Sequence, residues 1–191
     1  MLTAIYQSVI HPSTFCQNAK GQMLIDRYGW LLIAARWLYY SIIFALFRDY
    51  HGAWRPFVAP PFGLSLDTYA TLQKSLSVVF GFCLMGAIAG GLVTYLRITG
   101  NVASPFKVLN ILGVTFFLPF VSVQVLDLLI LYTSGWVMVF IIPLHTLILL
   151  WEAGATMLIL DNLYELRMVD KVIGVALIMT VWISVAALLW R

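Results

Sequence analysis

The chain has 191 residues, of which 62% are hydrophobic and 10% charged, and its formal net charge is +3. A soluble domain carries roughly 45–50% apolar and about 25% charged residues. This composition excludes soluble enzymes, nucleic-acid-binding domains and secreted disulfide frameworks. It predicts an all-α, polytopic integral membrane protein.

The first residues of the chain have the pattern of a short amphipathic helix. Leu2, Ile5, Tyr6 and Val9 recur at the spacing of one helical face, and Pro12 interrupts the pattern. We expect one or two short helices that lie in the plane of the membrane interface. The alternative is a leader that packs against the helices that follow it.

Five apolar runs have the length of about 20 residues that a spanning helix requires. They are continuous rather than alternating, which favours helices over the strands of a transmembrane barrel. They leave only short connections, so we predict a single membrane domain over residues 1–191 that is built from five spanning helices. The five predicted spans are residues 28–47, 76–95, 108–131, 136–160 and 172–190.

The distribution of basic residues predicts the orientation of the chain. An odd number of spans places the two termini on opposite sides of the membrane. Cytoplasmic loops carry an excess of Lys and Arg. Six basic residues fall on the side of the N-terminus and four on the other, which predicts a cytoplasmic N-terminus and an external C-terminus. The first group is Lys20, Arg27, Arg97, Lys107, Arg167 and Lys171, and the second is Arg48, Arg55, Lys74 and Arg191.

Two ionisable residues of opposite charge lie at the same predicted depth. Arg36 comes nine residues after Arg27 in the first span, and Glu152 comes nine residues before Asp161 in the fourth. At 1.5 Å per residue, each lies roughly 13 Å from the cytoplasmic face. Charges inside a bilayer require a partner or a wet cavity. The sequence therefore predicts a buried Arg36–Glu152 ion pair, and a proton or ion pathway is the alternative.

Two further polar residues lie in the outer half of the predicted bundle. His145 precedes Glu152 by two helical turns, and Asp127 lies in the neighbouring third span. A hydrogen bond between His145 and Asp127 is one interpretation, and solvation of Asp127 near the interface is the other. A zinc site needs three or four ligands. We therefore expect no metal and no cofactor.

Small residues in the second span favour close helix packing. Gly86 and Gly90 form a small-xxx-small pattern, and Gly91 adjoins it. The partner helix belongs either to the same bundle or to a second subunit. Pro119 and Pro143 predict kinks in the third and fourth spans.

The layout of the chain resembles the YIP family, the Ypt/Rab-interacting five-span membrane proteins, and especially its compact bacterial members. The resemblance is carried by His11-Pro12-Ser13-Thr14-Phe15 before the first span, by Ser104-Pro105-Phe106-Lys107 before the third, and by the polar connector between the last two spans. It implies a protein without known catalysis that acts through other membrane proteins or lipids. Eukaryotic members carry an Asp-Leu-Tyr-Gly-Pro motif. Asp161-Asn162-Leu163-Tyr164 is not that motif, so Rab binding is not implied.

These observations predict a non-catalytic scaffold or accessory subunit of a membrane protein complex in the bacterial inner membrane. Its expected partners are membrane lipids and either another membrane protein or further copies of the chain, with no nucleic acid. The first alternative is a transporter or channel component with a polar path at Arg36, His145 and Glu152. The second is a membrane-embedded, lipid-handling enzyme that uses His145 or Glu152.

Overall fold

The computed structural model describes residues 2–51, 63–133 and 137–189, with side chains for residues 3–43, 45, 63–65, 67–72, 74–126 and 143–185. Over these residues the backbone forms helices and no strand, which confirms the predicted all-α class for this part of the chain. Four helical stretches are long and apolar enough to cross a membrane. They are Lys74–Ile98, Pro105–Leu126, Pro143–Tyr164 and Met168–Val185.

The first predicted span, 28–47, corresponds to helix α4, Gly29–His51. The side chains of its last turns lie outside the described residues, and α4 is not among the four stretches. The count of five spans therefore stays a prediction.

Three short helices and a π-helical turn precede α4. They are α1, Leu2–Ile10; α2, Pro12–Gln17; α3, Ala19–Met23; and the π-helical turn Leu24–Tyr28. One face of α1 is buried through Ala4, Ile5, Ser8 and Val9, and α1 packs against the helices of the bundle, α6, α7 and α8. Packing on the bundle is thus observed, and the in-plane position of α1 in a membrane stays a prediction.

The second span is longer than predicted. Helix α5 runs from Leu66 to Ile98, with Ser65 as its N-cap, because the Ser65 hydroxyl accepts a hydrogen bond from the Thr68 N–H at 3.2 Å. The apolar run alone indicated only residues 76–95. The additional N-terminal turns mix polar residues with apolar ones, of which Tyr69 and Ala70 are buried, so hydropathy did not mark them as part of a continuous apolar run.

The third predicted span is two helices rather than one. Helix α6, Pro105–Thr115, ends at Phe116, and α7 runs from Phe117 to Thr133. Pro119 explains the interruption, because it has no N–H to donate to the carbonyl of Thr115 and its ring clashes with that carbonyl. The predicted kink is therefore a break, placed three residues before the proline.

The last two helices form a hairpin with a short polar connection. Helix α8 runs from Val137 to Tyr164 without a break at Pro143, and α9 runs from Met168 to Leu189. Glu165 ends α8 with a positive φ of 51°. Asp170 in the first turn of α9 accepts hydrogen bonds from the Arg167 backbone N–H at 3.1 Å and from the Tyr95 hydroxyl at 2.7 Å, which ties this hairpin to α5.

Helix α6 occupies the centre of the bundle. Seven of its eleven residues are buried, and it packs against α4, α5 and α8. Helix α9 packs against α5 and α8, and α7 packs against α4 and α8. The break at Phe116 therefore separates the central helix α6 from α7, which packs against α4 and α8.

Two glycines allow α4 and α6 to approach closely. A Cβ atom on Gly29 would overlap the backbone of Asn110, and one on Gly113 would overlap the carbonyl oxygen of Gly29. Backbone atoms cannot move away as the end of a side chain can. Gly29 and Gly113 are thus the small residues on which this helix crossing depends.

Alanine at either crossing glycine is expected to destabilise the protein. We expect Gly29→Ala and Gly113→Ala each to lower the free energy of unfolding by about 1–3 kcal/mol, the usual cost of overpacking. Gly86→Ala is the matched control, since no described atom lies within 4 Å of a Cβ built there. That control should be neutral or stabilising, by up to about 1 kcal/mol, because alanine favours helix. Unfolding of the three purified variants in mixed micelles compares them directly.

Candidate functional site

The structure brings Arg36 and Glu152 together inside the bundle. Arg36 Nη1 lies 3.4 Å from Glu152 Oε1, and the two side chains are 3% and 2% exposed. The two side chains are in contact, and their common depth relative to the cytoplasmic face stays a prediction. Among the described residues, α4 and α8 do not pack directly against each other. The ion pair therefore links two helices that are otherwise joined through α6 and α7.

The stronger hydrogen bond of Arg36 is to the backbone. Its Nη1 donates to the carbonyl oxygen of Phe116 at 2.6 Å, at the junction of α6 and α7. The C-terminal end of a helix carries a partial negative charge, so a cation there is favourable. Arg36 thus acts as a side-chain cap for α6 at the place where the spanning helix is broken.

Four aromatic rings surround the guanidinium of Arg36. Its Cζ lies 4.1 Å from the ring centroid of Phe120, 4.9 Å from that of Trp182, 5.3 Å from that of Phe116 and 5.9 Å from that of Trp37. Rings within about 6 Å attract a cation through their quadrupole, more strongly where water is excluded. We call these four residues the aromatic cage. Within the described residues, Arg36 Nε makes no hydrogen bond.

Two threonines join α6 to α8 one turn from the ion pair. The hydroxyl oxygens of Thr115 and Thr156 lie 2.7 Å apart, and Thr156 also donates to the carbonyl oxygen of Glu152 at 2.8 Å. Both threonines are fully buried. The polar centre of the bundle is therefore a continuous set of contacts that runs from Arg36 to Thr115.

The other two predicted polar residues lie in α7 and α8. His145 is half-buried in α8, two turns before Glu152. Asp127 lies in α7, and its side chain is outside the described residues. Their mutual hydrogen bond stays a prediction. Within the part of the chain that the structure describes, no three His, Cys, Asp or Glu side chains are grouped to hold a metal ion.

The three glycines predicted for helix packing divide into two groups. Gly91 faces α9, where a Cβ would lie 3.0 Å from Leu177. Gly86 and Gly90 are exposed and have no described atom within 4 Å of such a Cβ. They therefore make no close helix contact within the described bundle. Packing against a second subunit is the interpretation that stays open for them.

Sequence reasoning missed Asn110, which is fully buried in α6. Its Oδ1 accepts a hydrogen bond from the Trp30 N–H, and its Nδ2 donates one to the carbonyl oxygen of Ile25, both at 2.9 Å. These backbone groups flank the end of the π-helical turn. The available signal was an amide side chain inside an apolar span, which is weaker than that of a charged side chain because an amide costs less to bury.

Within the described residues, Arg36 contacts Glu152, the carbonyl oxygen of Phe116 and the aromatic cage. The Thr115 and Thr156 hydroxyl groups lie next to this pair. Comparison with known proteins adds no relative, because no family model, curated protein or solved structure matches the chain.

Proposed function

We propose that the chain is a non-catalytic integral membrane protein that serves as a scaffold or accessory subunit of a membrane protein complex, similar in layout to the YIP family. The observation that carries this proposal is the set of protein contacts around the buried Arg36–Glu152 pair. A cation held by a carbonyl, a carboxylate and four rings stabilises the arrangement of helices. In this proposal the charged residues at the centre of the bundle stabilise the packing of the helices and do not take part in catalysis or transport.

The exposed face of α5 supports a partner in the membrane. Cys83, Gly86, Ala87 and Gly90 lie on one side of this helix and are exposed. Small residues permit close backbone approach between spanning helices, where van der Waals packing is the main attraction. The partner is either a different membrane protein or a second copy of the chain.

The proposal includes five spans, with α4 as the first, a cytoplasmic N-terminus and an external C-terminus in a bacterial inner membrane. Two contacts support one shared end for the basic residues assigned to the cytoplasm. Lys107–Asp26 joins the start of α6 to the segment before α4, and Tyr95–Asp170 joins the end of α5 to the start of α9. Labelling of a cysteine engineered at the C-terminus tests the orientation, and labelling from the cytoplasmic side alone would contradict it.

Purification in a mild detergent tests the role as a subunit. We expect the tagged protein to retain a partner at a fixed ratio, and Gly90→Leu to lose it. Ala176→Leu is the matched control, since Ala176 is an exposed small residue on α9. A monomer that purifies alone, or a partner that both variants retain equally, would contradict the proposed face.

Oxidative cross-linking at Cys83 decides between the two kinds of partner. Cys16 is buried and burial raises the pKa of its thiol, an effect that Lys107 partly opposes, so its thiolate is scarce. Cys83 is exposed. A disulfide-linked dimer that Cys83→Ser abolishes would identify a second copy, and a cross-link to another protein would identify a hetero-complex.

A transport component is the second candidate, and the break between α6 and α7 favours it. Interrupted spanning helices form the midplane binding sites of many transporters. In that case proteoliposomes containing the protein should carry a proton or substrate flux that Glu152→Gln abolishes while the protein stays folded. Equal leakage from vesicles with and without the protein would exclude this role for protons.

A further inference from the structure

The loop between α5 and α6 is compact. Gly100 makes the turn with a positive φ of 93°, and the Asn101 N–H donates to the carbonyl oxygen of Leu96 at 2.9 Å. Arg97, in the last turn of α5, reaches across the loop to the carbonyl oxygen of Ala103 at 3.5 Å. The loop therefore holds the positions of the side chains that it exposes.

Three apolar side chains of this loop and its borders are exposed. Val102 is 94% exposed, Ile98 78% and Phe106 50%. Val102 lies at the tip of the loop, beyond the end of the apolar helix, where water would contact it if the loop left the membrane. Contact between apolar side chains and water is unfavourable, and burial of these side chains among acyl chains removes this free-energy cost. Exposed apolar side chains at the end of a spanning helix suit the level of the lipid headgroups, where they can enter the upper acyl chains.

The charge of the same segment is entirely positive. Residues 97–107 include Arg97 and Lys107 and no acidic residue. Lys107 pairs with Asp26 at 3.1 Å, whereas Arg97 has no ion pair among the described residues and is exposed. A cation without a carboxylate partner next to apolar side chains complements a molecule that has both an anionic head and an apolar tail.

We propose that this α5–α6 loop binds the headgroup of an anionic phospholipid. Arg97 contacts the phosphodiester, and Ile98, Val102 and Phe106 contact the upper acyl chains. Lys107, whose charge Asp26 partly neutralises, adds a weaker attraction. A basic residue at the membrane surface contributes about 1 kcal/mol to the attraction of anionic lipid, which is roughly a fivefold change in affinity. The inference is independent of the proposed subunit role, since it requires only that this end of α5 reaches the headgroups.

Lipid titration followed by native mass spectrometry tests the site on the full chain. The probes are dioctanoyl phosphatidylglycerol, dioctanoyl phosphatidylcholine and inorganic phosphate. We expect the tightest bound lipid to be phosphatidylglycerol. We also expect Arg97→Gln to weaken that binding roughly fivefold, and Arg97→Gln with Lys107→Gln to weaken it further. The affinity for phosphatidylcholine should change little.

A charge at the other end of the same helix provides the matched control. Lys74 is exposed near the start of the span in α5, so Lys74→Gln removes one positive charge without touching the loop. The proposal is overturned if Lys74→Gln weakens binding as much as Arg97→Gln does. It is also overturned if the two lipids bind equally, or if inorganic phosphate alone binds at Arg97. Unfolding temperatures of the variants without added lipid show whether each is folded.

Discussion

Replacement of either Arg36 or Glu152 alone by methionine is expected to lower the free energy of unfolding by about 3–5 kcal/mol. Each single change leaves a buried charge without its partner in a bundle where both side chains are almost inaccessible. The double methionine variant should cost less than the sum of the two, with a coupling of about 0.5–3 kcal/mol. Unfolding of the four proteins in mixed micelles, analysed as a double-mutant cycle, measures this coupling.

The Lys171–Asp161 pair is the matched control for this cycle. Its atoms are closer, at 2.8 Å, but its side chains are about a quarter exposed. Exposed pairs contribute roughly 0–1 kcal/mol. The longer, buried ion pair should therefore show the larger coupling. Equal coupling in the two cycles would contradict the view that burial sets the strength of the Arg36–Glu152 interaction.

Exchanging the two charges separates the ion pair from its surroundings. The Arg36→Glu, Glu152→Arg variant keeps opposite charges but would place a carboxylate beside the Phe116 carbonyl and the aromatic cage. The carbonyl oxygen accepts a hydrogen bond from a cation, and the aromatic rings attract a cation. We expect the exchanged variant to be less stable than the double methionine variant. Full recovery of stability would mean that Phe116 and the cage contribute little.

Replacement of Asn110 by leucine is expected to remove two buried hydrogen bonds at once. The Trp30 N–H and the Ile25 carbonyl would each lose their side-chain partner. A buried backbone group without a partner costs about 1–3 kcal/mol. The loss of stability should therefore exceed that of any single-contact variant in this region. Asn110→Asp should be at least as destabilising, because a buried carboxylate still accepts from Trp30 but places an unpaired negative charge beside the Ile25 carbonyl oxygen, to which it has no hydrogen to donate.

The control for Asn110 is a second asparagine of a spanning helix. Asn162 is exposed in α8 and donates only within its own helix, to the Leu158 carbonyl oxygen at 2.7 Å. Asn162→Leu should leave the free energy of unfolding almost unchanged. Hydrogen exchange adds a local measurement, since the Trp30 amide should exchange faster in Asn110→Leu. Unchanged protection of Trp30 would contradict the proposed role of the amide.

The sequence predicted those parts of the site that depend on depth and charge. Arg36 and Glu152 could be paired from residue counts, because a buried charge requires a partner and a helix rises uniformly along its axis. The predicted spans likewise followed from apolar length. Both inferences use properties of a single helix, namely its rise per residue and the length of its apolar run.

The aromatic cage could not be predicted in the same way. Phe120 and Trp182 contact Arg36 because of the rotation and crossing of helices far apart in the chain. No spacing rule gives those angles. The break at Phe116 was anticipated only as a kink at Pro119. The proline fixes which hydrogen bond is lost, but the packing of the neighbouring helices decides whether that loss bends the helix or ends it.

The π-helical turn has a consequence for how homologous chains can vary in length. A π-helical turn contains one residue more than the α-helical turn it replaces, and one residue corresponds to about 100° of rotation around a helix axis. Deletion of one residue within Leu24–Tyr28 would restore regular α-helix and rotate α3 relative to α4 by that angle. Phe15 and Ile25, both fully buried, could not then both keep their places in the core. Insertions and deletions should therefore be rare in this segment, even among relatives whose loops differ freely in length.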